Sequence, residues 1–454
     1  MGQAKQDYDV VVIGSGLGGL SAGSLLAHAG YKTLVVEKRD YIGGRWSTEE
    51  CEGFKLARGG HNIVFGGAVE KVFIETGAKF EQTPIADVWW TLKNKYFQTP
   101  PKGGVRFLIE MANQLEVERM KREGQPVKEV PVDTIMNAFR QGFANPEKEA
   151  GPTFREWLLQ FTESELAYKV FDSISTVVGA RVHEITTYEM FQFFIKMGGA
   201  RGIGTATRGN SVNAEALADV IRAKGDVWLN CPVKEIMVKG SMAKGVVVQK
   251  DVANVEVGSR VVISNVGPRA TVQLVGENNW GDDEYLKQMR MRLQPTPAIQ
   301  LYIGSDKPLW GKPGMRAVVQ PADARRVIGI VPQSNICPDL APPGKHLTFI
   351  FGGPQSSIHP MDIGYELQQY YLDLDELLPG WRSCSTVLKI DPHNVNDEYP
   401  EYRAWPGHGM SWQTPISNLF NVGDGIVASG NVGTAAAAES GTIVADNIKS
   451  TLPL

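Results

Sequence analysis

A group of glycines near the start of the chain has the spacing that lets a backbone bind a dinucleotide. Residues 14–19 read Gly-Ser-Gly-Leu-Gly-Gly and fit the pattern G-x-G-x-x-G. In this pattern the first glycine permits a tight turn, the second lets backbone N–H groups approach a pyrophosphate, and the third lets a helix pack closely on a strand. The residues predicted to contact the nucleotide here are Gly14, Ser15, Gly16, Gly18 and Gly19.

An acidic residue follows at the distance expected of a ribose ligand. Glu37 lies 23 positions after Gly14 and ends a second apolar run, 32–36. A carboxylate at this place accepts hydrogen bonds from both ribose hydroxyls and repels a 2′-phosphate, so the site favours FAD or NAD over NADP. The next residue, Lys38, is included among the predicted cofactor contacts.

These residues need a strand, a turn and a helix to position them, and the sequence supplies that order. Residues 9–13 form a β-branched run typical of a strand that is buried on both faces. Residues 20–30 read as a small-residue helix that ends at a glycine. The N-terminus of that helix supplies an anion site. The unit predicts a Rossmann-like nucleotide-binding domain.

The composition of the whole chain is that of an ordinary globular protein. Of its 454 residues, 43% are apolar and 21% are charged, and the formal net charge is −4. These values argue against a disordered chain and against a nucleic-acid-coating protein. No apolar run approaches the roughly 20 residues that cross a bilayer. The N-terminus lacks a secretory pattern and the four cysteines lack metal-ligand spacing, so we expect a cytoplasmic protein without a metal site.

Further motifs resemble one family, the FAD-dependent amine oxidase and phytoene desaturase superfamily, and within it the carotenoid desaturase branch. The resemblance runs from residue 9 through Glu37 to the Gly-Gly-Arg segment at 43–45, and it returns in the tail. In that family the Gly-Gly-Arg segment crosses the FAD pyrophosphate, and the tail glycines and aspartate face the ribityl chain and the flavin ring. The cofactor contacts that this resemblance implies are Gly44, Arg45, Gly423, Asp424, Gly433 and Thr434.

Two internal segments also take roles from the resemblance. A helix over 213–224 followed by strands over 227–236 resembles the adenine-side element, in which Val233 would pair its backbone with adenine. Gly60 and His61 lie where family members pass close to the flavin ring. His61 is a candidate proton acceptor near flavin N5, and a structural histidine bonded to the backbone is the alternative.

Aromatic residues before the Gly-Asp motif complete the catalytic candidates. Tyr402, Trp405 and His408 stand where amine oxidases place an aromatic wall opposite the flavin. The lysine that many amine oxidases use to hold a water at N5 would fall within 296–302, and this stretch contains none. Residues 207–211 lack part of the proline-basic-glycine-glycine-methionine pattern of carotenoid desaturases, so the resemblance does not fix a polyene substrate.

The fold that this resemblance implies is α/β, with a Rossmann-like, discontinuous FAD-binding domain of the GR2 type and an interleaved α+β substrate domain. We expect the FAD-binding domain at 1–75, 205–275 and 410–454, and the substrate-binding domain at 76–204 and 276–409. The implied cofactor is noncovalent FAD, because no cysteine lies within 400–425.

The implied activity is hydride transfer from a substrate C–H bond to flavin N5, which forms a C=C bond in an apolar or cyclic small molecule. The enzymatic alternatives are amine oxidation and redox-neutral isomerisation or hydration. The non-enzymatic alternative is a Rab GDP-dissociation-inhibitor-like protein. Aromatic residues over 154–199 predict mostly core and in part a substrate tunnel, and residues 191–197 leave peripheral membrane contact open. The electron acceptor, oxygen or a quinone, and the oligomeric state stay open.

Overall fold

Five stretches of the chain build two units in the computed structural model, which describes residues 6–281, 283–395, 404–426 and 430–454. Unit 1 comprises the described residues within Met1–Thr83, Ala200–Pro295 and Asp397–Leu454. Unit 2 comprises those within Pro84–Gly199 and Thr296–Asn396. Residues 276–295 and the described part of 397–409 belong to unit 1.

The strands and helices are numbered along the chain. The strands are β1 Gln6–Ile13, β2 Thr33–Val36, β3 Thr48–Cys51, β4 Phe54–Ala57, β5 Asn62–Val64, β6 Gln82–Ile85, β7 Asp87–Leu92, β8 Lys95–Gln98, β9 Ile203–Ala206, β10 Asp226–Trp228, β11 Val233–Val238, β12 Ala243–Lys250, β13 Ala253–Ser264, β14 Ala298–Ser305, β15 Ala317–Pro321, β16 Val327–Val331, β17 His346–Gly352, β18 Ser385–His393 and β19 Leu419–Asn421. The α-helices are α1 Leu17–His28, α2 Ala68–Thr76, α3 Gly104–Arg122, α4 Val132–Ala144, α5 Phe154–Leu159, α6 Glu165–Val178, α7 Thr187–Gly198, α8 Asn210–Arg222, α9 Pro268–Val275, α10 Asp283–Arg292, α11 Gln333–Ile336, α12 Ile363–Leu377 and α13 Gly433–Thr451.

A twisted sheet with a parallel half forms the centre of unit 1. Its strand order is β10-β2-β1-β13-β12-β11, and β19 pairs with the end of β13. Strands β10, β2, β1, β13 and β19 are parallel, whereas β12 and β11 return antiparallel. Residues 10–13 of β1 are all buried, because both faces of this sheet are covered.

Different elements cover the two faces of this sheet. Val10 and Val12 belong to a core that includes side chains of helices α1, α2, α8 and α13. Val11 and Ile13 belong to a second core, to which the segment 276–295 contributes. The aromatic rings of Trp280 and Tyr285 stack at 4.9 Å in that second core. Burial of these rings explains why the segment folds with unit 1 rather than with the other unit.

Unit 2 is built on a second sheet and a group of helices. The strand order is β18-β14-β17-β16-β15-β7-β8, and the pair β7–β15 is parallel. One face of the sheet packs on α12 through an apolar core. Helices α4 to α7 bury an aromatic cluster around Phe139, which includes Phe154, Phe171 and Phe191. Many of the aromatic residues over 154–199 are therefore core.

Among the residues that the structure describes, none of the helices combines the length and apolar character needed to cross a membrane.

Candidate functional site

The glycine-rich turn joins β1 to α1 and leaves the start of the helix open. Gly14 adopts a φ of 92° and its N–H donates to the carbonyl of Val36 at 2.7 Å. Helix α1 begins at Leu17, three residues earlier than expected, and no side chain caps its N-terminus. The N–H groups of the first helical turn have no intrahelical acceptor. They are available to an anion, which the positive end of the helix dipole favours.

Two glycines of the motif are needed for contacts within the chain. A Cβ atom on Gly19 would lie 2.3 Å from the carbonyl oxygen of Gly14, so only glycine lets α1 pack this closely. A Cβ atom on Gly16 would lie 2.5 Å from Nδ2 of Asn265. The sequence prediction missed Asn265, which follows β13 at the carboxyl end of a parallel strand. That position was the available signal, because ligands of open α/β sheets bind at this edge.

The carboxylate of Glu37 is held in place by the turn. Its Oε2 accepts hydrogen bonds from the N–H and the hydroxyl of Ser15, each at 2.8 Å. Its Oε1 accepts from the N–H of Arg39 at 3.0 Å. Glu37 is 5% exposed, whereas Lys38 is exposed. Because two carboxylate oxygens offer about four acceptor positions, capacity remains for a ribose hydroxyl.

Val233 and Glu37 come from distant parts of the sequence and lie in one region of unit 1. Val233 opens β11, and the segment before it runs beside the end of β2. The N–H of Cys231 donates to the carbonyl of Glu37 at 2.8 Å, and that of Asn230 donates to the carbonyl of Arg39 at 2.9 Å. The predicted adenine and ribose contacts are therefore neighbours.

The Gly-Gly-Arg loop lies against the glycine turn. The N–H of Gly43 donates to the carbonyl of Ser15 at 3.0 Å. In the same loop, Nη2 of Arg45 lies 2.7 Å from Oδ1 of Asp424, and the two side chains are 33% and 17% exposed. The structure thus joins two predicted cofactor residues from opposite ends of the chain. Their partial exposure leaves the guanidinium able to contact an anion as well.

The tail glycines complete a cradle around these groups. A Cβ atom on Gly18 would lie 2.8 Å from the backbone nitrogen of Gly423. Helix α13 begins at Gly433 without a side-chain cap, and, its chain neighbours and the helix's own backbone apart, no heavy atom of a described residue lies within 4 Å of a Cβ placed there. Within the described ranges, the buried Nε1 of Trp46 has no hydrogen-bond acceptor. Two open helix N-termini, free space and an unmatched buried donor fit an anionic dinucleotide with a flat ring system.

The catalytic candidates that the structure describes also belong to unit 1. His61 is 6% exposed and follows Gly60, at which a Cβ atom would lie 2.5 Å from Cγ2 of Thr434. The rings of Trp405 and His408 meet edge to face at 4.9 Å. The N–H of Ala404 donates to the carbonyl of Asp424 at 3.1 Å, so this segment runs beside the Gly-Asp loop. Tyr402 lies outside the described residues.

The environment of His408 sets its charge. Burial lowers the pKa of the imidazole, and the positive charge of Arg292 acts in the same direction, whereas a hydrogen bond to the Arg292 backbone opposes them. His408 is therefore neutral at pH 7, since even the ordinary pKa of histidine is about 6.5. A neutral imidazole can accept a proton.

Unit 2 carries a charged cluster that the sequence prediction missed. Lys389, Asp391 and His393 alternate along β18 and therefore point to the same face of the sheet. Oδ2 of Asp391 lies 3.3 Å from Nζ of Lys389 and 3.8 Å from Nε2 of His393. On β14, Tyr302 stands directly opposite Lys389. Only strand pairing reveals this neighbour, since 87 positions separate the two residues in the sequence.

Aromatic rings continue the same sheet face. Tyr302 and Phe349 lie 5.2 Å apart, and Phe349 and Phe351 stack at 5.4 Å. Residues 298–305 of β14 are all buried and include no lysine. The face therefore combines an aromatic area with one charged cluster at the β18 edge.

Comparisons with known proteins identify the relatives of this chain. The family model described as flavin containing amine oxidoreductase matches residues 17–449. Phytoene desaturase of Cercospora nicotianae is 39% identical over 75 residues, which cover 16% of this chain and 12% of that protein. All-trans-retinol 13,14-reductase of Danio rerio is 25% identical over 337 residues, which cover 67% of this chain and 55% of that protein.

A solved structure shares the fold over nearly the whole chain. An oxidoreductase from Methanosarcina mazei superimposes with a TM-score of 0.80 at 24% identity, covering 96% of this chain and 99% of that one. This likeness confirms the predicted α/β fold. By contrast, the chain spans 12% and 55% of the lengths of the phytoene desaturase and the retinol reductase named above.

Proposed function

The chain belongs to the flavin containing amine oxidoreductases and its cofactor is FAD; from this premise we propose that it is an oxidoreductase that forms a C=C bond in an apolar or cyclic substrate. Bound FAD supplies the acceptor for a hydride from the substrate. The protein contributes orientation, exclusion of water and a place for the proton.

We assign the cofactor contacts to unit 1. The N-terminus of α1 and Arg45 would hold the pyrophosphate, because backbone N–H groups and a guanidinium both bind phosphate oxygens. Glu37 would accept from the ribose and the backbone of Val233 would meet adenine. The open N-terminus of α13 would stabilise negative charge on the reduced flavin ring.

We further propose that FAD is bound without a covalent link, since residues 400–425 contain no cysteine. Acid precipitation of the purified protein should release the yellow chromophore into the supernatant. Flavin that stays with the precipitate would contradict this.

His61 is the residue that we propose to assist proton removal. It is buried and belongs to the loop that packs on Thr434 at the start of α13. His61→Ala should slow flavin reduction by substrate while FAD stays bound, because general-base assistance typically contributes about 10²-fold or more. An unchanged reduction rate would return His61 to a structural role.

The aromatic face of unit 2 is the observation that carries the choice of C–C desaturation. Tyr302, Phe349 and Phe351 form one aromatic face, in which Tyr302 and Phe349 are buried and Phe351 is partly exposed, so Phe351 would meet an apolar molecule first; β14 carries no lysine. A neutral hydride donor needs no cation-recognition cage. The names of the two curated relatives, a phytoene desaturase and a retinol reductase, support a polyene or cyclic hydrocarbon skeleton.

Amine oxidation is the second candidate, and a specific observation favours it. The carboxylate of Asp391, which stands beside Lys389 and His393, could bind a cationic amine next to the same aromatic rings. The description of the family also names amines. A substrate comparison is therefore needed to separate the two reactions.

Anaerobic bleaching of bound flavin makes this comparison directly. The panel should contain carotenoid precursors, alicyclic ketones or acids, and primary and secondary amines. We expect neutral alicyclic or polyene compounds to reduce the flavin fastest. Faster bleaching by simple amines would overturn the desaturase assignment. Oxygen and a quinone can then be compared as acceptors for the reduced enzyme.

A variant of the charged cluster sharpens the comparison. Asp391→Asn removes the carboxylate but keeps the shape of the side chain. It should leave bleaching by a neutral substrate within about twofold, whereas amine oxidation through this site would slow by tenfold or more, as for a lost charge-assisted hydrogen bond.

A further inference from the structure

Asn210 has a hydrogen-bond acceptor that the described part of the chain leaves without a donor. It is the first residue of α8 and is 2% exposed. Its Nδ2 donates to the carbonyl of Gly60 at 2.7 Å, whereas its buried Oδ1 has no hydrogen-bond partner among the residues that the structure describes. A carbonyl oxygen can only accept, so the amide nitrogen must face Gly60. The orientation of the carboxamide is thereby fixed, with Oδ1 directed away from Gly60.

Asn210 lies beside segments whose residues we propose to bind FAD. Gly60 packs on Thr434 at the start of α13. The neighbouring residue, Ser211, accepts through Oγ from the N–H of Thr48 at 2.9 Å and donates its own N–H to Oγ1 of Thr48 at 3.3 Å. The start of α8 is thus hydrogen-bonded to the first residue of β3 and to the loop that carries His61, and all of these residues belong to unit 1.

A buried acceptor without a donor is costly and rare in folded proteins. FAD brings donors of its own, the N3–H of the flavin ring and the hydroxyls of the ribityl chain. We propose that Asn210 is a FAD-binding residue, whose Oδ1 accepts a hydrogen bond from one of these two groups while its Nδ2 fixes the Gly60 loop. The inference rests on FAD as the cofactor.

The same helix offers a matched control. Asn213 lies three residues later on α8 and is fully buried. Its Oδ1 accepts from the N–H of Glu81 at 2.8 Å, and its Nδ2 donates to the carbonyl of Glu81 at 3.1 Å. Both the oxygen and the nitrogen of this carboxamide therefore have hydrogen-bond partners within the chain. Its removal should lower stability without a specific effect on FAD.

The test compares the apoproteins of wild type, Asn210→Leu and Asn213→Leu. FAD affinity is measured by flavin fluorescence titration, and thermal midpoints are recorded with and without saturating FAD. We expect Asn210→Leu to raise the Kd for FAD about tenfold, as for one lost hydrogen bond. Its FAD-dependent gain in midpoint should shrink accordingly. Asn213→Leu should keep the wild-type Kd within about twofold, although its apoprotein melts earlier.

Analogues of FAD identify which group of the cofactor is the donor. Asn210→Ala serves as a second variant in case Asn210→Leu does not fold. Wild type should bind either 3-methyl-FAD or a ribityl-deoxy FAD more weakly than FAD, and this loss should vanish in Asn210→Ala, because the bond is then already absent. Equal affinity of wild type and both Asn210 variants for FAD would overturn the proposal. So would an equal loss in Asn213→Leu. Failure of wild type to bind FAD at all would instead contradict the cofactor assignment.

Discussion

Hydrogen bonds within the chain already orient side chains of the proposed FAD site, and Glu37 is the clearest case. Three backbone or hydroxyl donors from Ser15 and Arg39 orient its two oxygens. A preorganised carboxylate can accept from ribose without further ordering.

The first prediction concerns this carboxylate. In Glu37→Gln, one side of the side chain becomes an amide donor that must face the N–H of either Ser15 or Arg39. We expect the Kd for FAD to rise at least tenfold. A hydrogen bond to a charged group is lost, and the new amide N–H faces a backbone N–H to which it cannot bond. Fluorescence titration of the apoprotein measures this.

Glu75→Gln is the control for the first prediction. Glu75 also belongs to unit 1, but it forms an exposed ion pair with Lys449 at 3.1 Å. Exposed pairs of this kind contribute little, so FAD affinity should not change. If both variants bound FAD like wild type, the ribose contact would be assigned wrongly.

The second prediction concerns pH and His408. Because burial lowers the pKa of this imidazole, the unfolded chain takes up a proton below about pH 6.5 that the folded chain resists. The folded state therefore loses stability as the pH falls below that value, and the effect is absent above it. Relative to His408→Gln, the wild-type thermal midpoint should drop between pH 8 and pH 5. A constant difference across this range would show that His408 does not titrate as described.

At the level of secondary-structure elements, the sequence predicts individual strands, turns and helices, but it does not predict which side chains become neighbours when strands pair. The strand over 9–13, the glycine turn and a following helix could be predicted, because buried β-branched runs and glycine spacing are local signals. The start of α8 at Asn210 was placed three residues too late, since Gly209 with a φ of 97° ends the preceding extended segment only in the folded chain. The cluster at Lys389 could not be found, because register is set by the partner strand.

The third prediction tests the packing of α1 on β1. In Gly19→Ala the new methyl group would lie 2.3 Å from the carbonyl oxygen of Gly14, and neither backbone can yield without moving the helix. We expect a loss of about 1–3 kcal/mol in the free energy of unfolding, as for overpacked cores, together with loss of FAD retention. Urea denaturation and flavin content of the purified protein measure the two effects.

Gly23→Ala on the same helix is the control for this packing. A methyl group there would lie 3.2 Å from Cδ1 of Ile221, the mobile end of a side chain. Alanine also favours the helix over glycine by about 1 kcal/mol. The variant should keep FAD and lose little stability. Equal losses in both variants would contradict the special role of Gly19.

At the scale of the whole molecule, the residues that we propose to bind FAD come from three separate segments of unit 1. Arg45 and Asp424 lie 379 positions apart and form one ion pair. Such a site exists only when all three segments are folded. FAD that binds only the folded chain should therefore stabilise unit 1 as a whole.

The most direct test of the central claim is an anaerobic single turnover in which flavin absorbance and product mass are measured together. With a neutral alicyclic or polyene substrate, we predict one two-electron reduction of FAD for each product molecule that lacks two hydrogen atoms and carries a new C=C bond. Conversion to a product of unchanged mass, or of a mass raised by one water, with no net change in the redox state of the flavin, would mean redox-neutral chemistry. Bleaching only by amines, with release of a carbonyl product after hydrolysis, would mean amine oxidation. Either result would contradict the desaturase account.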